Sequence, residues 1–240
     1  MPGMAAPETL PEGDEKVRAV RDMFDAIAPR YDVVNRVMTF RMDVRWRRRT
    51  VRSLALAPGS RVLDLACGTG DIAFQLATAG SRVVGLDITP RMVRLASLKP
   101  QHYRNRVRFV TGDMMALPMP DASFDVVTTG YGLRNVPDLT GALREIHRVL
   151  RPGGQLLSLD FDKPANRVVR AVYLGYLTAV GSTLGALLHG DPDTYRYIPE
   201  SIQRYPGAAG VCALARQAGF SACAHEPVLG GFLALHLATK

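Results

Sequence analysis

The chain reads as an α/β protein with helices on both faces of a mostly parallel sheet. Three features predict this. From residue 61 onward, short apolar runs alternate with helix-patterned segments. The first run ends in a glycine-rich turn, "VLDLACGTGDIA", of the strand-to-helix kind that open parallel sheets place at their ligand-binding edge. After Asp162 the alternation breaks into a stretch of helical and loop character over 164–205, before one more helix and strand.

Taken in order, Val17, Val20, Phe24 and Ile27 mark one face of a first helix. An arginine-rich helical region follows around 32–56. "RVLDLA" (61–66) is a strand, and "GTGDIAFQLATAG" a turn and helix. "RVVGLDI" (82–88) is a strand, followed by a helix with Thr89 as N-cap and Pro90 at its first position. "VRFVTGD" (107–113) and "FDVVTTG" (124–130) are strands. "DLTGALREIHRVLRPGG" (138–154) is a helix stopped by Pro and Gly, and "QLLSLDF" (155–161) a strand. "GAAGVCALARQAGF" (207–220) is a helix and "LGGFLALHLATK" (229–240) the final strand. Right-handed crossovers leave few ways to connect them.

The formal charge of +8 suggests an anionic partner. The three cysteines, Cys67, Cys212 and Cys223, show no C-x-x-C spacing, which argues against a disulfide framework or a zinc site and for a reducing compartment. No metal site is expected. The first residues lack a basic region followed by an apolar run, so they do not read as a secretory signal. Residues 171–188 are uncharged and touch the lower length for a membrane span, but carry Gly175, Gly181 and Gly185. A buried or pocket-covering helix is the expectation.

The glycine turn places Asp64, Gly68 and Gly70 where backbone N–H groups can meet a ligand. Gly68, Gly70 and Ala73 also fit a dinucleotide pattern. Two carboxylates sharpen the choice. Asp87 lies 19 residues after Gly68 and can accept ribose hydroxyls. Asp64 would repel a pyrophosphate but suits an amino-acid ammonium. S-adenosylmethionine carries a ribose, an ammonium and a sulfonium, and no phosphate. Asp113 could take an adenine amino group, and Met92 and Met114 could flank the ring or simply pack.

These elements, with "D-x-x-x-G-x-G" and "VLRPGG", resemble the Rossmann-like class I methyltransferases over about Leu56 to Phe161. That resemblance implies a seven-stranded sheet whose last strand is antiparallel. The segments "MFDAIAPRYDVVNRVMTF", Trp46, "GLRNV", "GDPDTYRYIPESIQRYP" and the terminal "GGFLALHLATK" are similar to the ubiquinone/menaquinone-biosynthesis C-methyltransferases, from about Lys16 to Lys240. The resemblance implies S-adenosylmethionine as cofactor and a polyprenylated quinol as substrate, either demethylmenaquinol or a methoxy-polyprenyl-benzoquinol. It assigns Thr69, Asp87, Asp113 and Met114 to the cofactor and Tyr31, Arg134 and Asn135 to the quinol. The chain departs from the family at Arg41, where a small glycine is usual, and at Gly130, where a serine is usual. The expected organisation is a lead-in over 1–15 and a single domain over 16–240. That domain comprises N-terminal helices (16–56), a cofactor-binding core (57–162) and a substrate-covering insertion (about 164–205).

Ring methylation asks for a more nucleophilic carbon, reached by ionising a ring hydroxyl. Arg134 stays protonated near neutrality, so its expected role is to favour the quinolate oxygen, with water as proton acceptor. The competing readings are a surface salt bridge for Arg134 and a core position for Tyr31. Asp160 reads as a plain strand-end aspartate and His147 as a solvated side chain. Tyr195, Arg196 and Tyr197 could line the tail side. "RMDVRWRRRTVR" (41–52), with six arginines, reads either as a solvated face or as a contact with anionic lipid. The expected setting is cytoplasmic, with peripheral membrane contact and a homodimer left open and no nucleic-acid partner. An NAD-linked oxidoreductase, a nucleic-acid methyltransferase, a methyltransferase for another small aromatic and a non-catalytic quinone-binding protein are the rivals.

Overall fold

The computed structural model describes residues 13–38, 42–54, 56–99, 105–190 and 192–240. The expected lead-in lies largely outside them, as does the departure at Arg41.

Seven strands form one sheet: β1 (Arg61–Leu65), β2 (Arg82–Asp87), β3 (Val107–Thr111), β4 (Phe124–Gly130), β5 (Leu150–Phe161), β6 (Ala222–Val228) and β7 (Leu233–Thr239). Their order is β3-β2-β1-β4-β5-β7-β6. The first five pair in parallel, and β7 runs antiparallel between β5 and β6. The strand order reverses between β1 and β4, which makes their carboxyl ends the place for a ligand.

The strands are apolar on both faces because helices cover both. On one face Leu63, Leu65, Val127 and Leu156 pack against α6 (Leu139–Val149) and α9 (Gly207–Gln217). On the other, Val62, Val126, Leu157 and Leu159 meet α3 (Met42–Ser53) and α4 (Asp71–Thr78). Helix α5 (Pro90–Leu98) flanks β2 and β3. A separate small core joins Ile27 of α1 (Gly13–Ile27) and Val34 of α2 (Tyr31–Met38) to Tyr195. Leu184 of α7 (Arg167–His189) and Ile198 of α8 (Tyr197–Arg204) pack onto it.

The structure corrects the sequence reading in several places. Strand β6 was not expected: only Cys223 and Val228 are buried, a proline (Pro227) lies within it, and four exposed residues in a row hide its period. Helix α6 ends at Val149, and the Arg-Pro-Gly-Gly run belongs to β5, whose pairing slips between Phe124 and Val126. Lys240 then caps the helix end, its Nζ donating to the carbonyls of His147 and Leu150 at 2.7 Å each. His147 is half-buried, edge-on to Phe220. Thr89 does occupy the N-cap position of α5, but its side chain makes no capping bond.

Cys212 and Cys223 form a disulfide, with Cα atoms 5.3 Å apart. The hairpin of α9 into β6 brings them face to face, a proximity that spacing alone does not show. Cys67 is free and buried. Helix α7 is not buried: in its most apolar window only 17% is covered. Leu177 and Gly181 face inward, while Val168, Val172 and Leu187 are exposed.

Candidate active site

The cleft forms where β1, β2, β3 and β4 end. After β1 the backbone turns through left-handed Ala66 (φ 49°), Gly68 (φ 54°) and Gly70 (φ 87°). Gly70 has no alternative: a Cβ there would sit 2.7 Å from Phe109 Cζ and 2.9 Å from Phe74 Cε2. Asp87, closing β2, anchors this turn. One carboxylate oxygen accepts the N–H of Gly68 at 2.8 Å, and the other accepts that of Thr89 at 2.9 Å. Burial raises the Asp87 pKa, with the two backbone N–H groups opposing that shift. Asp113, after β3, accepts the N–H of Met115 at 2.9 Å.

Together these loops wall a cleft of about 700 Å³, its open mouth included. Gly68, Asp87, Asp113 and Met114 line it, as do Met92 and Leu86. Helix α1 roofs it with Val17, Val20 and Phe24; Tyr31, edge-on to Phe24 with ring centroids 6.0 Å apart, and Asn135 also line it.

Four expected site residues do not line this cleft. The Asp64 side chain is buried deeper along β1, beneath the glycine turn, with Oδ1 accepting from Thr128 Oγ1 at 2.7 Å. Burial pushes its pKa up to about 7, against the pull of Thr128 and Arg47. Gly70 acts through the turn. The Thr69 hydroxyl donates to Asp32 Oδ1 at 2.6 Å, and Lys99 bridges Asp32 (3.0 Å) and Asp71 (3.2 Å). Arg47, from the arginine-rich stretch, is buried against Asp71, and Arg49 pairs with Glu226. That stretch is therefore not a uniformly solvated or lipid-facing surface; Trp46's side chain lies outside the described ones. The network ties α2 and α3 to the glycine turn.

Arg134 is the fourth. It sits in a short 3₁₀ turn, Leu133–Asn135, with its side chain only 5% exposed. Nη1 donates to Asp160 Oδ1 at 3.0 Å and to the Tyr131 carbonyl at 2.8 Å. Its backbone N–H donates to Asp160 Oδ2 at 3.2 Å. The guanidinium lies 4.7 Å from the Phe161 ring centroid. Burial lowers its pKa, but Asp160 more than offsets this, so the net shift is upward and the charge is fixed. The salt bridge is real but buried. Asp160, next to the end of β5, is thus more than the plain strand-end aspartate that the sequence suggests. Its signal was positional: it stands near the end of its strand, as Asp87 stands at the end of β2.

Asn135 is held at both ends. Its Nδ2 donates to the Tyr131 carbonyl at 3.1 Å, and its Oδ1 accepts from Tyr197 Oη at 3.2 Å. Tyr131 carries φ +62°, a backbone conformation that costs a non-glycine residue energy and that the Arg134 and Asn135 bonds to its carbonyl help to hold. Tyr195 is buried in the small core with Ile27 and Val34, while Arg196 is exposed and paired with Glu200.

The model of the ubiE/COQ5 methyltransferase family matches residues 12–240. A demethylmenaquinone methyltransferase of Thermus thermophilus is 43% identical over 221 residues, 91% of this chain and 100% of that one. A ubiquinone/menaquinone biosynthesis C-methyltransferase of Shewanella frigidimarina is 39% identical, over 95% of this chain and 93% of the relative. Among solved structures, a SAM-dependent methyltransferase of Thermotoga maritima superposes with a TM-score of 0.64 at 19% identity, covering 91% of this chain and 99% of that one. At that identity the likeness supports the Rossmann-like fold alone.

Proposed function

The chain belongs to the ubiE/COQ5 methyltransferase family, and from that premise we propose that it methylates a ring carbon of a polyprenylated quinol, demethylmenaquinol, using S-adenosylmethionine. The observation that carries this reading is the match at 43% identity to the whole length of a demethylmenaquinone methyltransferase. It spans the cover and the cofactor core alike. Relatives whose names join ubiquinone to menaquinone keep a methoxy-polyprenyl-benzoquinol as the second substrate reading.

The residues present fit the cofactor. Asp87 has both oxygens engaged by backbone N–H groups, yet still lines the cleft, so a remaining lone pair can accept ribose hydroxyls. Asp113 would take the adenine amino group, with Met92, Met114 and Leu86 against the ring. Bound there, the cofactor supplies a methyl group on a positively charged sulfur. The protein's task is to hold the quinol ring in line and raise its nucleophilicity. A phenolic hydroxyl has a pKa of about 10. Arg134 cannot remove that proton, and it does not stand free: Asp160 offsets much of its charge. Its role in this reading is to aim its remaining N–H groups and to fix the 131–136 turn, so that the quinolate oxygen is favoured while water accepts the proton. Asn135 and Tyr31 orient the oxygen in the cleft.

The test is incubation with S-adenosylmethionine and a short-tailed demethylmenaquinol kept reduced, followed by mass spectrometry. A product heavier by one CH2 is expected. Cofactor binding with transfer only to the methoxy-benzoquinol would shift the assignment to the second substrate. No transfer to either would overturn it.

A further inference from the structure

The Asn135 amide could stand either way round, and the bonds on its two sides choose one. The Tyr131 carbonyl can only accept, so the amide nitrogen Nδ2 must face it, at 3.1 Å. The oxygen Oδ1 then faces Tyr197 Oη at 3.2 Å, and the tyrosine must donate. It is able to do so. Burial pushes the Tyr197 pKa up to about 12, with Arg134 pulling the other way, so the hydroxyl keeps its proton. Nδ2 carries a second hydrogen, and among the described residues no acceptor takes it. Asn135 lines the cleft, so that N–H is left for a ligand there. Helix α8 keeps Tyr197 in place. Ile198 beside it packs onto the small core, Ile202 is buried one turn on, and Lys163 Nζ donates to the Tyr205 carbonyl at 2.6 Å just past the helix end.

We propose that Tyr197 is a positioning residue: it fixes the sense of the Asn135 amide, so that the turn offers the quinol oxygen an N–H and not a carbonyl. The inference deepens the quinol reading and rests on it. A carbonyl facing the ring hydroxyl would accept its hydrogen and favour the protonated quinol. An N–H facing it favours the oxygen that has lost its proton, and the ring carbon becomes more nucleophilic. Asn135 thereby acts in the same direction as the Arg134 charge. The proton itself still goes to water, because a hydroxyl and an amide that both donate cannot take it. The other charged or titratable groups around the pair are Arg134 and Tyr131 on the same loop, Asp160 from β5, Tyr31 from α2, Tyr173 from α7 and Lys16 from α1. Tyr197→Phe leaves all of them in place and removes one O–H. The segment over 164–205 then has a task beyond covering the cleft: it sets the polarity of a group on the opposite wall.

The experiment compares the wild type, Tyr197→Phe, Asn135→Ala and the double variant on a short-tailed demethylmenaquinol kept reduced, from about pH 6 to 9. Tyr197→Phe should lower kcat about tenfold near neutrality, with little change in KM. It should also move the pH at which kcat levels off upward by about one pH unit, so that alkaline pH restores most of the turnover. The double variant should be no slower than Asn135→Ala. A second readout needs no transfer: absorbance titration of 1-naphthol, a stand-in phenol, with the S-adenosylhomocysteine complex. The wild type should lower the naphthol pKa, and Tyr197→Phe should lower it less. A Tyr197→Phe profile that falls equally at every pH, losses that add in the double variant, or a naphthol that titrates alike with both proteins would overturn the proposal. A wild type that shifts naphthol but methylates no quinol would count against the quinol reading and leave the amide's orientation standing.

Discussion

The sheet side of the cleft and its helical cover are held by different means. On the sheet side, carboxylates at strand ends grip backbone: Asp87 takes two N–H groups and Asp113 one. In the cover, side chains reach across long loops, as when Lys16 Nζ donates to the Val136 carbonyl at 2.7 Å, or Thr69 to Asp32. Backbone grips fix a cofactor's outline with few moving parts. Side-chain reach lets a cover part and close at modest cost, because partly exposed ion pairs contribute little. Arg134 and Asp160 stand at the seam, joining the β4 loop to the end of β5.

The largest expected effect lies at that seam. Arg134→Ala leaves Asp160 buried and unpaired, which costs about 3–5 kcal/mol of folding stability. Turnover should fall by about a hundredfold or more while S-adenosylhomocysteine affinity changes little. The pairing allows a sharper comparison. Arg134→Met/Asp160→Leu should recover most of the stability, because a packed apolar pair can replace a buried ion pair, but none of the turnover. Urea melts with single-turnover assays separate the two. Recovery of both would reduce Arg134 to a structural brace.

On the sheet side the effect should move from rate to binding. Asp87→Ala removes the acceptor of two backbone N–H groups and of the ribose, so S-adenosylhomocysteine affinity should fall by about a hundredfold in calorimetry. Turnover at saturating cofactor should change less. An unaltered affinity would mean that the glycine turn holds its shape without Asp87 and that the ribose binds elsewhere.

Beneath the turn, Asp64 tests burial itself. Its folded pKa is about 7 against an ordinary value of 3.8, with burial the main cause. Between those values the folded state keeps a proton that the unfolded state has lost. Its contribution therefore makes stability fall as pH rises from about 4 to 7, by up to about 1.4 kcal/mol per unit, and level off above. Asp64→Asn keeps an acceptor for Thr128 and should flatten that slope in urea midpoints taken across the window. An identical slope would place the titration on another group.

The sheet side was largely legible in the sequence because its grammar is local. Strand runs, glycine turns and strand-end carboxylates fall at fixed spacings, and Gly68, Asp87, Asp113 and Met114 do line the cleft. What spacing could not say was how deep a carboxylate near a strand end lies. Asp64 and Asp87 point to the same face of neighbouring strands, but Asp64 pairs with Gly85, two residues short of Asp87, and so is buried beneath the glycine turn. The Arg134–Asp160 pair spans 26 residues and depends on β4 and β5 being neighbours, which is topology rather than pattern. The cover was least legible. An apolar helix such as α7 reads alike whether its stripe faces a core or the outside, and β6 shows too little alternation to announce a strand.

The smallest effect concerns Gly130, where the family resemblance leads one to expect a serine. Gly130 ends β4 and lines the cleft, and a Cβ placed on it would come within 2.7 Å of Ile72 Cδ1. The obstacle is the tip of one flexible side chain on α4, so Gly130→Ser should cost only about 1–2 kcal/mol. Ile72 is buried, and Ile72→Val alone should cost about 1 kcal/mol. Together the two changes should cost less than their sum, because the valine vacates the volume that the serine needs. With Ile72 trimmed, a serine rotamer that turns its hydroxyl from Ile72 toward the cleft should gain a bond to the cofactor, worth a few-fold in S-adenosylhomocysteine affinity. Paired urea melts and calorimetry check both parts. Strict additivity would show that Ile72 does not set this position's size, and that glycine stands there for its backbone rather than for its lack of a side chain.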